Sequence, residues 1–156
     1  MTFIYRGIVR AKLKRLVSEI NRHNLDYVVA QFSPDAEHIF PGSSHALSGV
    51  RRSPDLIAAW YQRLGAIFPT MNFEIRRLLV NGPPWNTNAV VEVKESSTDR
   101  QGNRMFNDVA LFIRIRWGRA TQLRVYCDTD LLINNLKTLA SQGVSEAGQE
   151  PIEGPL

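Results

Sequence analysis

The sequence predicts an α+β domain whose helices lie against one face of a mixed, mostly antiparallel sheet. Three observations carry this. In the first 68 residues apolar side chains recur every three or four positions, the period of helices. From Asn72 onward the period becomes two, over four longer stretches. Short clusters of Gly, Pro, Asn and Asp separate those stretches, so sequential strands run antiparallel.

In the first helix, over 5–22, Ile8, Leu13, Leu16, Val17 and Ile20 share a face and basic residues fill the other. A second helix over 25–32 ends at Ser33-Pro34, because proline disfavours helical backbone in the residue before it. Residues 36–40 form a short strand closed by Pro41-Gly42. Ser53-Pro54-Asp55 opens the third helix with a capping hydroxyl, a proline in the first turn and a carboxylate at the positive end of the dipole; Pro69 stops it. Strands follow at 72–80, 89–94, 105–117 and 121–127, with Gly118-Arg119 as a tight hairpin between the last two. A closing helix at 131–140 completes a single domain over 1–141, and 142–156, rich in Gly, Glu, Ser and Pro, is expected as a flexible tail.

A chain of 156 residues, 44% hydrophobic and 22% charged, has the balance of an ordinary soluble globular domain and excludes a disordered chain. No stretch approaches the roughly 20 apolar residues that span a bilayer, and the charge order at the start is the reverse of a signal peptide's. The single cysteine, Cys127, fits a cytoplasmic protein and removes any internal disulfide framework. Three scattered histidines give no metal site, and no Gly-rich phosphate loop or nucleophile motif suggests a cofactor. The net charge of +4 owes much to Arg6, Arg10 and Lys14 on one helical stripe, read as a solvated face. Neither a membrane nor a nucleic acid is the expected partner.

In the long strand Asp108, Ala110, Phe112 and Arg114 alternate with Val109, Leu111, Ile113 and Ile115. Placing the first set toward an interior cavity puts the second, with Leu123 and Val125, on the outer face. That apolar patch predicts a homodimer. Asp128 shares a face with Tyr126 and Asp108 with Phe112, so both carboxylates are candidate acid/base groups. Asp128 reads equally well as the cap of the last helix. His38 alternates with Phe40 and is a third candidate, for proton transfer near neutral pH. Trp60, Tyr61, Leu64, Phe112, Tyr126 and Trp85 are candidate walls for a ring-shaped ligand.

The run Leu25-Asp26-Tyr27-Val28-Val29-Ala30-Gln31-Phe32-Ser33-Pro34-Asp35-Ala36, the following Pro41-Gly42, and Ser48-Gly49 before a helix resemble the nuclear transport factor 2-like superfamily in its SnoaL-like and ketosteroid-isomerase-like branch. Gly118-Arg119 followed by Leu123-Arg124-Val125-Tyr126-Cys127-Asp128-Thr129 is similar to that family's closing strand. The likeness covers roughly Ile8 to Leu139. It implies a cone, a curved sheet wrapped around three N-terminal helices with an internal apolar cavity, usually in a homodimer.

The resemblance puts Phe40 where the steroid isomerases carry their catalytic base and Leu16 where they carry an oxyanion-donating tyrosine. Both become pocket positions, and steroid isomerase chemistry is not expected. The partner acid of that branch falls at Asp108 or Ala110. Asp128 matches one aspartate of the limonene epoxide hydrolases and the acid/base aspartate of the polyketide cyclases, but Glu92-Val93-Lys94-Glu95 departs from the hydrolase pattern. The expectation is an acid/base enzyme without a cofactor, of cyclase, isomerase or hydrolase type, acting on a hydrophobic cyclic or polyketide-like compound. The alternative is a non-catalytic binding or dimerisation module of the same fold.

Overall fold

The computed structural model describes residues 2–154. Its elements in order are α1 (Thr2–Asn21), α2 (Leu25–Val29), β1 (Phe32–Phe40), β2 (Gly49–Arg51), α3 (Pro54–Ile67), β3 (Asn72–Asn81), β4 (Thr87–Thr98), β5 (Arg104–Arg116), β6 (Arg119–Cys127) and α4 (Thr129–Ser141), then a 3-10 turn at Ser145–Gly148. One six-stranded sheet runs β2-β1-β6-β5-β4-β3. Only β1 and β6 pair in parallel, so the sheet is mixed and mostly antiparallel, as expected.

α3 starts where the sequence placed it. The Ser53 hydroxyl accepts from the Leu56 amide, satisfying one of the free donors of the first turn, and Pro54 supplies a preset φ. Its buried residues Ile57, Trp60, Tyr61 and Ile67 face the sheet, and the Trp60 indole donates to the Leu47 carbonyl at 2.9 Å. β1 is longer than expected, because Phe32 already pairs with Ala120, and this shortens α2. β2, a three-residue strand on β1, lies where no element was expected. The last hairpin turns on Trp117-Gly118, one residue earlier than the expected Gly118-Arg119, flanked by the pair Arg116 and Arg119. Both turn residues have positive φ (50° and 79°), the signature of a two-residue turn whose twist suits antiparallel strands.

The sheet's faces are the reverse of the expected assignment. On β5, Ile113 and Ile115 are buried, while Asp108, Phe112, Arg114 and Arg116 are exposed. Register carries this parity across the sheet: Val93 pairs with Val109 and that with Cys127, and Val91 with Leu111 and Val125. These rows face α1, α3 and α4. The physical reason is electrostatic. Asp108, Arg114 and Arg116 share one parity, and a wall of three unpaired charges costs far more to bury than the aromatic Phe112 costs to expose.

The segment after α4, expected as a flexible tail over 142–156, packs on the domain through residue 154, and 155–156 lie outside the described residues. Val144 and Ala147 are buried. Arg63 Nη1 donates to the Glu150 carbonyl, Arg51 Nη1 to the Ile152 carbonyl, and the Gly154 amide to the Val50 carbonyl.

Candidate functional site

Between the helices and the inner face of the sheet lies a cavity of about 90 Å³, room for several waters or a small ring. Its deep wall is aromatic. Phe40, Trp60 and Tyr61 line it beside His38, which is fully buried, with the His38 ring 4.4 Å from Trp60 and 5.5 Å from Tyr61. Val93, Val109, Leu111, Leu123 and Val125 line the sheet side, and Val17, Ile20, Leu64 and Leu132 the helix side. Its partly exposed members, among them Phe73, Cys127 and Asn135, lie toward the end of the sheet where β6 passes into α4.

Within this apolar lining one acid stands out. Glu95 continues the inward row of Val91 and Val93 on β4 and pairs in register with Asn107. It is 9% exposed, and its Oε1 has no hydrogen-bond partner. Burial disfavours the charged form and pushes its carboxyl up to about 7, offset only in part by the Ser97 hydroxyl two residues along. A carboxyl raised into this range exchanges its proton near neutral pH. It can both take and return a proton.

At the floor, the Arg51 Nε donates to His38 Nδ1 at 3.2 Å, so the imidazole proton sits on Nε2, which has no partner among the described residues. Burial and then the Arg51 charge hold the His38 pKa well below its ordinary value. His38 is a neutral hydrogen-bond donor in the cavity wall, and the expected proton transfer near pH 7 does not fit it. Arg51 is itself fully buried, with no carboxylate of the described residues within ion-pair distance. It donates to the carbonyls of Ser48, Gly49 and Ile152, its cation lies 5.3 Å from the Trp60 ring centroid, and burial lowers its pKa to about 10. Tyr61 lines the same wall, and burial raises its pKa, so the hydroxyl stays a neutral donor.

The other candidates fall elsewhere. Asp128 caps α4, its Oδ1 accepting from the Leu131 amide at 3.0 Å. It is exposed. Asp108 lies on the outer face opposite Lys94. Phe112 and Tyr126 pack on each other outside the sheet, ring centroids 5.3 Å apart. Trp85 is exposed at the β3–β4 turn. Leu16 lines a second, smaller cavity beneath α1. Of the expected site, His38, Phe40, Trp60 and Leu64 come together.

Glu95 and Arg51 were not among the expected site residues, whereas Tyr61 was expected as a wall and lines the cavity. The signal for Glu95 was present: an acid continuing the every-second-residue row of Ala89, Val91 and Val93 has the parity of the core. Cys127 also reaches the cavity, but burial raises its thiol to about 11, which leaves it a poor nucleophile. Among the described residues no cluster of His, Cys, Asp and Glu could hold a metal ion.

A fold with helices on the inner face of a six-stranded mixed sheet, closed over an apolar cavity, defines a nuclear transport factor 2-like protein. The model of the SnoaL-like domain matches residues 13–123, and the chain belongs to that family. Among solved structures, PrhC from Penicillium brasilianum is 11% identical with a TM-score of 0.75, covering 92% of this chain and 95% of that one. TerC, co-crystallised with polyporic acid, is 16% identical with a TM-score of 0.65, covering 78% and 92%. A putative SnoaL-like polyketide cyclase from Jannaschia sp. CCS1 is 14% identical with a TM-score of 0.57, covering 68% and 73%. At such identities the likeness is one of fold. No curated protein matches the chain.

Proposed function

We propose that the chain is an acid/base enzyme of the SnoaL type, acting on a hydrophobic cyclic or polyketide-like compound, with Glu95 moving the proton. The observation that carries this is the buried Glu95 carboxyl, unpartnered at Oε1 and held near 7 in an apolar cavity. In this reading the carboxylate removes a proton beside a carbonyl, in a site dry enough to keep it basic. The neutral donors His38 Nε2–H and Tyr61 O–H are suited to the oxygen on which charge develops. The polyketide cyclase and the polyporic acid complex among the similar structures support a ring-bearing substrate class. The same reading makes the protein a cytoplasmic homodimer, with the exposed Leu79, Phe112 and Tyr126 of the outer sheet face covered by a second copy.

The test uses 5-nitrobenzisoxazole, which a base in an apolar site opens by removing the ring C–H proton as the N–O bond breaks, releasing a coloured phenolate. The wild-type protein should turn it over with a rate that rises through pH 7, and Glu95→Gln should lose about 10²-fold. Equal rates for the two proteins would remove the acid/base reading and leave a binding module.

A further inference from the structure

We infer that the end of the domain opposite the cavity mouth docks on an anionic lipid bilayer. Three loops or elements meet there. The Tyr5 hydroxyl of α1 bonds Thr87 just after the β3–β4 turn, and the Lys12 ammonium bonds the Gly118 carbonyl of the β5–β6 hairpin at 2.6 Å. The Trp117 amide donates to the Pro84 carbonyl, and the Trp85 and Trp117 rings lie 6.1 Å apart. Ile8 and Ile4 precede Lys12 by one and two turns on the same side of α1, so they continue the stripe that Lys12 ties to the hairpin. All four apolar side chains stand in solvent: Ile4 is 69% exposed, Ile8 61%, Trp85 57% and Trp117 73%. Nothing among the described residues covers them.

Charge names the partner. Residues 2–18, 75–91 and 109–127 hold eleven of the 19 Lys and Arg and none of the 15 Asp and Glu. Among the described residues only Arg15, Arg76 and Arg77 of these eleven meet a carboxylate within ion-pair distance. The neighbouring α2 and β1 bring Asp26 and Asp35, neither of them in an ion pair among the described residues, and Glu37, which pairs with Arg52. A tip of aliphatic side chains and paired indoles ringed by uncompensated cations has the composition of an interfacial anchor. Indoles settle at the headgroup level, aliphatic groups reach the acyl boundary, and cations gain from the negative surface potential. Aliphatic side chains gain nothing from a nucleic-acid phosphate, which sets lipid above that alternative. Docking of this kind needs no spanning segment, and no helix of the described residues is long and apolar enough to provide one. The cavity mouth, at the other end of β4 and β5, would then face the aqueous phase.

Flotation of the full chain with phosphatidylcholine vesicles, with and without phosphatidylserine, tests this. Binding is expected only to vesicles carrying phosphatidylserine, and it should weaken as salt is added. The double variant Ile8→Glu/Trp117→Ser should lose it. Arg10→Glu/Arg116→Glu, which touches only exposed charges, should weaken partition by more than roughly fivefold for each residue. Leu131→Ser, an exposed apolar side chain on α4 away from this tip, should float like the wild type. Absence of flotation at low salt, or equal flotation of the Ile8/Trp117 variant with its fold intact by circular dichroism, overturns the inference. So would binding of an oligonucleotide, or self-association, that the Ile8/Trp117 substitutions abolish while vesicles are ignored.

Discussion

Arg51 and His38 form a fully buried pair in which the guanidinium Nε donates to the imidazole Nδ1 at 3.2 Å, with no described carboxylate within ion-pair distance. The arginine is held by backbone carbonyls of Ser48, Gly49 and Ile152, and so joins the cavity floor to the C-terminal segment. Arg51→Met should leave those carbonyls unpaired, at about 1–3 kcal/mol each, and make the C-terminal segment accessible to protease. An unchanged thermal midpoint would contradict this.

His38 should show the Nε2–H tautomer by nitrogen NMR and should not titrate near its ordinary value. The unfolded chain binds a proton on this side chain below about 6.5, whereas the folded protein, with the pKa depressed, does not. Its contribution to stability is therefore present above about 6.5 and lost as pH falls. His38→Asn should flatten that acid limb of the stability profile.

Glu95 acts in the opposite sense. Its carboxyl is raised from 4.5 to about 7, so between those values the folded protein keeps a proton that the unfolded chain has released. Stability should fall as pH rises through that window and level off above it, a difference on the order of 3 kcal/mol. Glu95→Gln should be more stable than the wild type at pH 8 and no more stable at pH 4. Denaturant titration at both values measures it, and parallel profiles would show a carboxyl of ordinary pKa.

Asp128 carries a prediction that separates a cap from a catalyst. Its Oδ1 accepts from Leu131, and its backbone exchanges two hydrogen bonds with the Asn107 side chain. Asp128→Ala should cost about 1 kcal/mol of stability and leave turnover of 5-nitrobenzisoxazole as it was. A large loss of turnover at unchanged stability would return Asp128 to the site.

The order of helices and strands was legible because periodicity and turn residues are local signals. Ser53-Pro54 opens α3 as read, and Gly118 turns the last hairpin. Which face of the sheet looks inward is a global property, set by the summed cost of one parity against the other. Reading Asp108 and Phe112 as cavity residues weighed one attractive pair and ignored Arg114 and Arg116 on the same parity. That one choice displaced Asp108, Phe112 and Tyr126 from the site together and hid Glu95, whose parity follows from Val91 and Val93. The His38–Arg51 pair depends on β2 folding back on β1. Three residues of strand leave almost no periodic trace.

The last prediction concerns assembly, and the face reversal alters its residues while keeping its location. On the outer face, Leu79 pairs in register with Val90 and that with Phe112, while Tyr126 packs on Phe112 from β6. Leu79, Phe112 and Tyr126 are each about half exposed. A two-fold contact would bury both copies of this patch, at roughly 1.5–3 kcal/mol for each large side chain covered, against the entropy lost on association. Phe112→Lys should therefore give a monomer by sedimentation at micromolar concentration with its thermal midpoint little changed beyond the loss of the dimer. Leu111→Lys, one residue away, should act differently. Leu111 lines the cavity, so an ammonium there loses its hydration and the apolar contacts of Val91 and Val125, and the domain itself should be destabilised by several kcal/mol. A wild-type monomer at these concentrations, or a Phe112→Lys protein that still sediments as a dimer, would place the subunit contact elsewhere or remove it.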